Sequence, residues 1–83
     1  MLTLARGQVV RSTAGRDCSS LLAVISVEGS FALLADGKHR PLERPKRKSI
    51  KHLSPTDFSL SETQLASNRG LRKALGALRS VNR

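Results

Sequence analysis

The apolar run at residues 21–27, LLAVISV, is the feature that most constrains how this chain folds. Six of its seven residues are apolar, and Val24, Ile25 and Val27 are β-branched, which favours a strand over a helix. Because apolar residues do not alternate with polar ones, the run predicts a strand that is covered on both faces. It is also much shorter than the ~20 residues that a membrane-spanning helix needs.

Turn signals divide the first half of the chain into further short strands. Ala14-Gly15-Arg16-Asp17 and Glu28-Gly29-Ser30 are typical of turns, and Asp36-Gly37 between apolar runs is a strong hairpin signal. The predicted strands are residues 8–13, 21–27, 31–35, 39–42 and 49–53. Pro41 cannot donate to a ladder, so its strand is expected at an edge. Five short strands predict a mostly β domain, a small antiparallel barrel or a sandwich, and the barrel is favoured because closure removes exposed edges.

The second half of the chain has helical patterns. Ser61 and Gln64 have the spacing of a capping box, as do Ser59 and Glu62, and Asn68 is placed to cap a further helix. These signals predict helices over residues 62–66 and 69–78. The apolar stripe of the second helix consists of Leu71, Ala74, Leu75 and Leu78. We therefore expect two regions, a barrel over residues 1–54 and a linker with a C-terminal helical tail over 55–83. The polar linker itself starts at the end of the barrel and covers residues 54–59, and its Phe58 is expected to dock the tail.

The positive charge of the chain is concentrated in residues 38–52, KHRPLERPKRKSIKH. Seven Lys and Arg residues stand there against the single acid Glu43, whereas residues 1–37 are neutral overall and residues 53–83 carry a net charge of +3 within the total of +9. Cations near phosphates release condensed counterions, which adds affinity. A charge localised in this way is typical of a surface that binds a polyanion, and we expect these cations to converge on one face of the β domain.

Two stretches resemble a known family. Residues 7–17, GQVVRSTAGRD, followed by an apolar strand, resemble the KOW motif, although Cys18-Ser19-Ser20 stand where the motif has a second glycine. Residues 35–53 fit the pattern ADGKxRxxxxPKRKxxKHL, which is similar to the KOW-containing large-subunit ribosomal proteins of archaea and eukaryotes and to short bacterial proteins related to them. The resemblance implies an SH3-like barrel of KOW type that binds RNA, usually ribosomal RNA, without catalysis.

The candidate RNA-binding residues are the cations of this segment and of the first turn. Arginine can hold a phosphate through two hydrogen bonds, and loops on a rigid scaffold are where binding residues gather. The chain has no Trp or Tyr and only two Phe, so stacking on single-stranded bases is not expected. The target should be structured RNA, recognised by its phosphates and shape. The predicted contacts are Arg16, Lys38, Arg40, Arg44, Lys46, Arg47, Lys48, Lys51 and His52.

Two other classes of function compete with RNA binding. A protein-interaction module docking on the ribosome or the transcription machinery is the main alternative, with the C-terminal helix as its contact. A small basic nuclease lacks a plausible acid–base pair, so we expect no enzyme, no catalytic residue, no metal site and no cofactor. Residues 1–8 lack the features of a secretory leader. The expectation is a cytoplasmic monomer that binds RNA, with ribosomal proteins as further partners and no membrane.

Overall fold

The computed structural model describes residues 4–13 and 20–81 of the chain. In these two ranges, five strands are followed by two helices, and a short 3₁₀ turn at Ile50–His52 separates the last two strands. The strands are β1 (Gln8–Ser12), β2 (Leu21–Glu28), β3 (Phe31–Ala35), β4 (Lys46–Ser49) and β5 (Leu53–Ser59), and the helices are α1 (Glu62–Leu65) and α2 (Asn68–Val81).

All five strands belong to one antiparallel sheet with the order β4-β3-β2-β1-β5. The pairing shifts register between Val24 and Ser26 and between Gln8 and Val10, and such irregularities bend a sheet. The prediction of a mostly β fold with five short strands is therefore confirmed. Within the described residues β4 and β5 are the two edges of the sheet, which is not closed into a barrel.

The strand predicted at residues 39–42 was wrong, because the chain forms a loop there. The carboxylate of Asp36 accepts hydrogen bonds from the backbone N–H groups of Lys38 and Arg40, both at 2.8 Å. The backbone N–H groups of Asp36 and Gly37 in turn donate to the Arg40 carbonyl. These bonds close the loop on itself, so the strand that pairs with β3 begins only at Lys46, after Pro45.

The last strand was also placed wrongly. Of residues 49–53, only the first and last lie in strands, and the interval 54–59, predicted as a linker, lies in β5. The N–H of Thr13 donates to the His52 carbonyl at 2.9 Å, and β5 then pairs with β1. Thr56 Oγ1 donates to the Val9 carbonyl at 2.7 Å. A polar sequence is compatible with this strand because β5 is an edge of the sheet and most of its residues are exposed.

The sheet has an apolar cluster on each face. One contains Val10, Leu22, Val24 and Leu34, and the other contains residues of β1 and β2 together with Leu65, Leu71 and Leu75 of the helices. The expectation that the second strand is covered on both faces is confirmed for its first four residues, which are all buried, whereas exposure rises toward Glu28. Phe58 is half-buried against the helix-side cluster, as predicted.

Both helices are confirmed, with different ends. Ser61 and Gln64 form the predicted capping box of α1. At α2, the Gly70 N–H donates to Ser67 Oγ at 3.0 Å, so Ser67 rather than Asn68 caps that helix. Leu71 and Leu75 are fully buried on the sheet. Neither helix in the described part of the chain has the length and apolar character needed to cross a bilayer.

Gly76 weakens α2 without a packing reason, and replacing it should stabilise the protein. A Cβ atom there would have no heavy atom within 4 Å. Gly76→Ala is therefore expected to raise the free energy of unfolding by about 0.5–1 kcal/mol, which corresponds to a rise in Tm of roughly 2–8 °C. Thermal unfolding followed by circular dichroism measures the effect.

Gly70→Ala is the matched control in the same helix. A Cβ at Gly70 would lie 3.2 Å from Ser67 Oγ and 3.3 Å from the Gln64 carbonyl oxygen, closer than ordinary contact. Gly70→Ala should therefore raise the free energy of unfolding less than Gly76→Ala does. An equal gain at both positions would contradict the role we assign to the open surface at Gly76.

Candidate nucleic-acid interface

The basic segment follows one edge of the sheet from end to end. We call residues 36–45, which join β3 to β4, the basic loop, and we call Lys46, Arg47 and Lys48 of β4 the basic edge. Because β4 is antiparallel to β3, Lys46 pairs with Leu34 near the loop, whereas Ser49 pairs with Phe31 at the far end. Lys51 and His52 follow in the 3₁₀ turn at that far end. The segment thus forms a path along the edge of the sheet.

The basic loop is ordered by its own acid. The side chain of Asp36 is almost completely buried, and its Oδ1 accepts the two backbone hydrogen bonds described above. Its second carboxylate oxygen, Oδ2, lies 3.8 Å from His39 Nδ1. Lys38 and Arg44 are exposed, whereas Arg40 is half-buried. The loop therefore presents Lys38 and Arg44 from a backbone that is already fixed, which lowers the entropy lost on binding.

Asn68 attaches the basic loop to the start of α2. Its Oδ1 accepts the backbone N–H of Leu42 at 2.7 Å, and its Nδ2 donates to Glu43 Oε1 at 2.6 Å. Gly37, with φ of 81°, packs directly on the backbone of Asn68 and Arg72. The loop and the first two turns of α2 consequently form one continuous surface, although they are about 30 residues apart in sequence.

The basic edge presents its cations on both faces of the sheet. Lys46 and Lys48 pair with Leu34 and Ala32, so their side chains leave on the face of the first apolar cluster, whereas Arg47 leaves on the helix side. The expectation of a single basic face was wrong for these three residues, because strand alternation divides them. Because β4 is at the edge of the sheet, cations on its two faces can still reach the same phosphate backbone.

Arg47 is stacked on an aromatic ring. Its guanidinium carbon lies 4.0 Å from the centroid of Phe31, and the arginine side chain is exposed. A cation at this distance is attracted by the ring quadrupole, and the contact restricts the orientation of the guanidinium. The edges of the planar group keep their N–H donors for a phosphate.

Phe31→Leu removes this stacking and keeps an apolar residue of similar size. We expect the affinity for structured RNA to fall about two- to fivefold, because a surface cation–π contact contributes about 0.5–1 kcal/mol. Fluorescence anisotropy with a labelled RNA hairpin measures the loss. In the Arg47→Ala background the same Phe31→Leu change should have no further effect, and an undiminished effect there would contradict the mechanism.

The acids of the segment do not neutralise its exposed cations. Glu43 is bonded to Asn68, and Asp36 is bonded to backbone N–H groups. Within residues 4–13 and 20–81, Lys38, Arg44 and Arg47 make no ion pair with a carboxylate. Their charges are therefore available to a ligand.

The remaining predicted residues are less central. Lys51 is exposed and His52 is half-buried at the opposite end of β4 from the basic loop. Arg16 lies outside the described residues.

Three further cations adjoin the loop and were missed by the sequence analysis. Arg69, Arg72 and Lys73 of α2, which we call the helix patch, are all exposed. Their spacing of three and four residues places them on one side of the helix, opposite the buried Leu71 and Leu75. That spacing was visible in the sequence, but only the contact between Gly37 and the backbone of Asn68 and Arg72 places the patch beside the basic loop.

The clearest electrostatic pairing in the described residues involves none of these cations. Arg6 Nε donates to Glu62 Oε2 at 2.9 Å, and this hydrogen bond, together with the charge of Arg6, lowers the pKa of Glu62. The same hydrogen bond and charge raise the pKa of Arg6. No group of three or more His, Cys, Asp or Glu side chains that could hold a metal ion occurs in the described ranges.

Comparison with models of protein families gives no match, and a search of curated proteins gives none either.

Proposed function

We propose that this chain is a non-catalytic, cytoplasmic RNA-binding protein that contacts structured RNA, ribosomal RNA above all, through the basic loop and the basic edge. The observation that carries the proposal is the ordering of exposed, unneutralised cations along one edge of the sheet and on the loop that leads into it. Lys38 and Arg44 stand on a loop closed by Asp36, and Arg47 is held on Phe31. Such preorganised cations favour a polyanion over single charged ligands.

The resemblance of residues 7–53 to KOW proteins supports the same proposal. The GRD and ADGK sequences and the PKRKxxKHL stretch are shared. The five antiparallel strands are compatible with an SH3-like architecture whose ladder is left open between β4 and β5. Residues 46–53, which carry half of the fixed positions of the second pattern, lie on the edge strand β4, in the turn that follows it and at the start of β5.

The apolar stripe of α2 favours RNA over a protein partner. Leu71 and Leu75 are fully buried, and Leu78 packs partly against the same cluster. The stripe that the protein-interaction hypothesis would use is therefore occupied by the chain's own sheet. What α2 leaves exposed in its first two turns is basic.

Binding of the full chain to RNA at several salt concentrations tests the proposal. The probes are refolded large-subunit ribosomal RNA, an RNA hairpin with a stem of about 20 base pairs, and a single-stranded oligouridine. We expect the two structured probes to bind more tightly than oligouridine, and we expect affinity to fall steeply between about 50 and about 200 mM salt.

Two results would overturn the proposal. One is the absence of binding to both structured probes at low salt. The other is binding that does not respond to salt, since contacts to phosphates must release counterions. Intact RNA after long incubation is the expected result for a protein that binds without cleaving.

A further inference from the structure

We infer that the phosphate-binding surface continues onto α2, where Arg69, Arg72 and Lys73 form a second set of contacts to the RNA backbone. This inference rests on the proposed function and extends it, because it assigns a ligand to a helix whose exposed side had none. It also replaces the idea that the C-terminal helix serves to dock a protein.

The first argument is the placement of the helix patch against the basic loop. Gly37 packs so closely on α2 that an added Cβ would lie 3.0 Å from the backbone nitrogen of Arg72. Asn68 bonds both the Leu42 N–H and the Glu43 carboxylate from the first turn of the same helix. A ligand that contacts Lys38 and Arg44 therefore meets the start of α2 directly.

The second argument is that these cations have no ion-pair partner among the described residues. Arg69, Arg72 and Lys73 are exposed, and no described carboxylate is within ion-pair distance of them. The nearby Glu43 is held by Asn68 instead. Three like charges on one helix side repel one another, so the cluster does not stabilise the fold.

The third argument is the position of Arg69 in the helix. The first turn of α2 contains no acid, although negative side chains are favoured there and positive ones are disfavoured by the helix dipole. Stability therefore gives no reason for an arginine at this point. A phosphate bound near Arg69 would offset this unfavourable interaction, because the N-terminal end of a helix attracts anions.

Together the loop and the helix patch form a composite surface for a phosphate backbone. Lys38 and Arg44 contribute from the loop, and the three cations of α2 contribute from a helix that is held rigidly by Leu71 and Leu75. Such contacts position the RNA and carry no base specificity. The predicted contribution is therefore to affinity and salt dependence for any structured RNA.

The test uses the full chain with Arg69→Gln and Lys73→Gln, and the RNA hairpin described above as the probe. We expect a loss of affinity of about tenfold. We also expect the slope of log affinity against log salt concentration to decrease in magnitude by about two, one for each phosphate contact removed. Tm should stay constant or rise, because a cation is removed from the first turn of the helix. A loss of binding through unfolding is thereby separated from a loss of contacts.

The matched control removes the same net charge elsewhere. Ser54→Glu and Ser59→Glu lie exposed on β5, the opposite edge of the sheet from β4. If this pair weakens binding as much as the helix variant, only the overall charge matters and the inference is overturned. Unchanged affinity in the helix variant, with wild-type binding intact, overturns the inference and leaves the proposed function standing. Failure of the wild-type protein to bind the hairpin refutes both.

Discussion

Replacing Lys46, Arg47 and Lys48 together with alanine is expected to weaken binding to structured RNA by more than about tenfold near 0.15 M salt. Each lost phosphate contact removes close to one condensed counterion from the binding equilibrium. The slope of log affinity against log salt concentration should therefore decrease in magnitude by up to about three. The three side chains leave β4 on both faces, and alanine removes them all. Anisotropy titrations at several salt concentrations measure both quantities.

The control for this variant must separate local contacts from total charge. Ser54→Glu, Ser59→Glu and Thr63→Glu lower the net charge by the same amount at exposed positions outside the basic segment. We expect this control to bind structured RNA severalfold more tightly than the alanine variant. Equal affinities, or an alanine variant that binds like the wild type, would refute the assignment of the basic edge to RNA. Thermal melts of both variants verify that they are folded.

Gly37→Ala is expected to lower the free energy of unfolding by about 2–5 kcal/mol, combining left-handed backbone strain with overpacking. The backbone at Gly37 has φ of 81°, and the added methyl group would collide with the Asn68 carbonyl oxygen. Neither the loop nor the first turn of α2 can move independently, because Asn68 bonds both Leu42 and Glu43. For a domain of this size the loss is a large fraction of the total stability.

Gly29→Ala provides a matched comparison for Gly37→Ala. Gly29 also has positive φ, at 61°, but a Cβ there would meet no heavy atom within 4 Å. It should therefore show only the backbone strain, about 1 kcal/mol. Urea unfolding measures the free energy of unfolding of each variant, and the two losses are compared provided that the m-values are the same. Equal losses would show that contact with α2 contributes nothing at Gly37.

The strands that local sequence predicts well are those whose pattern is set by burial. The apolar run at residues 21–27 and the run at 31–35 each lie within a strand, β2 and β3, because branched apolar residues favour a covered, extended chain. The predictions failed where a side chain competes for the backbone. The Asp36 carboxylate accepts the N–H groups of Lys38 and Arg40, so the basic loop replaces a tight turn and β3 pairs with β4 instead of residues 39–42.

The candidate site shows a similar division. Its cations were identified from their concentration in residues 38–52, since charge density is a local property of the sequence. Their geometry was not, because strand alternation places Arg47 apart from Lys46 and Lys48. The helix patch was missed because nothing local indicates that residue 72 packs beside residue 37.

The amino-acid order alone determined which segments are apolar enough to need covering, where helices could begin, and where the positive charge collects. Each of these depends on residues within a few positions of one another. Tertiary structure decided which edge the cations occupy, and it placed the basic loop against α2. Those outcomes depend on long-range pairing and on single contacts such as Asn68 with Leu42, whose free energy is gained only when distant segments have already met.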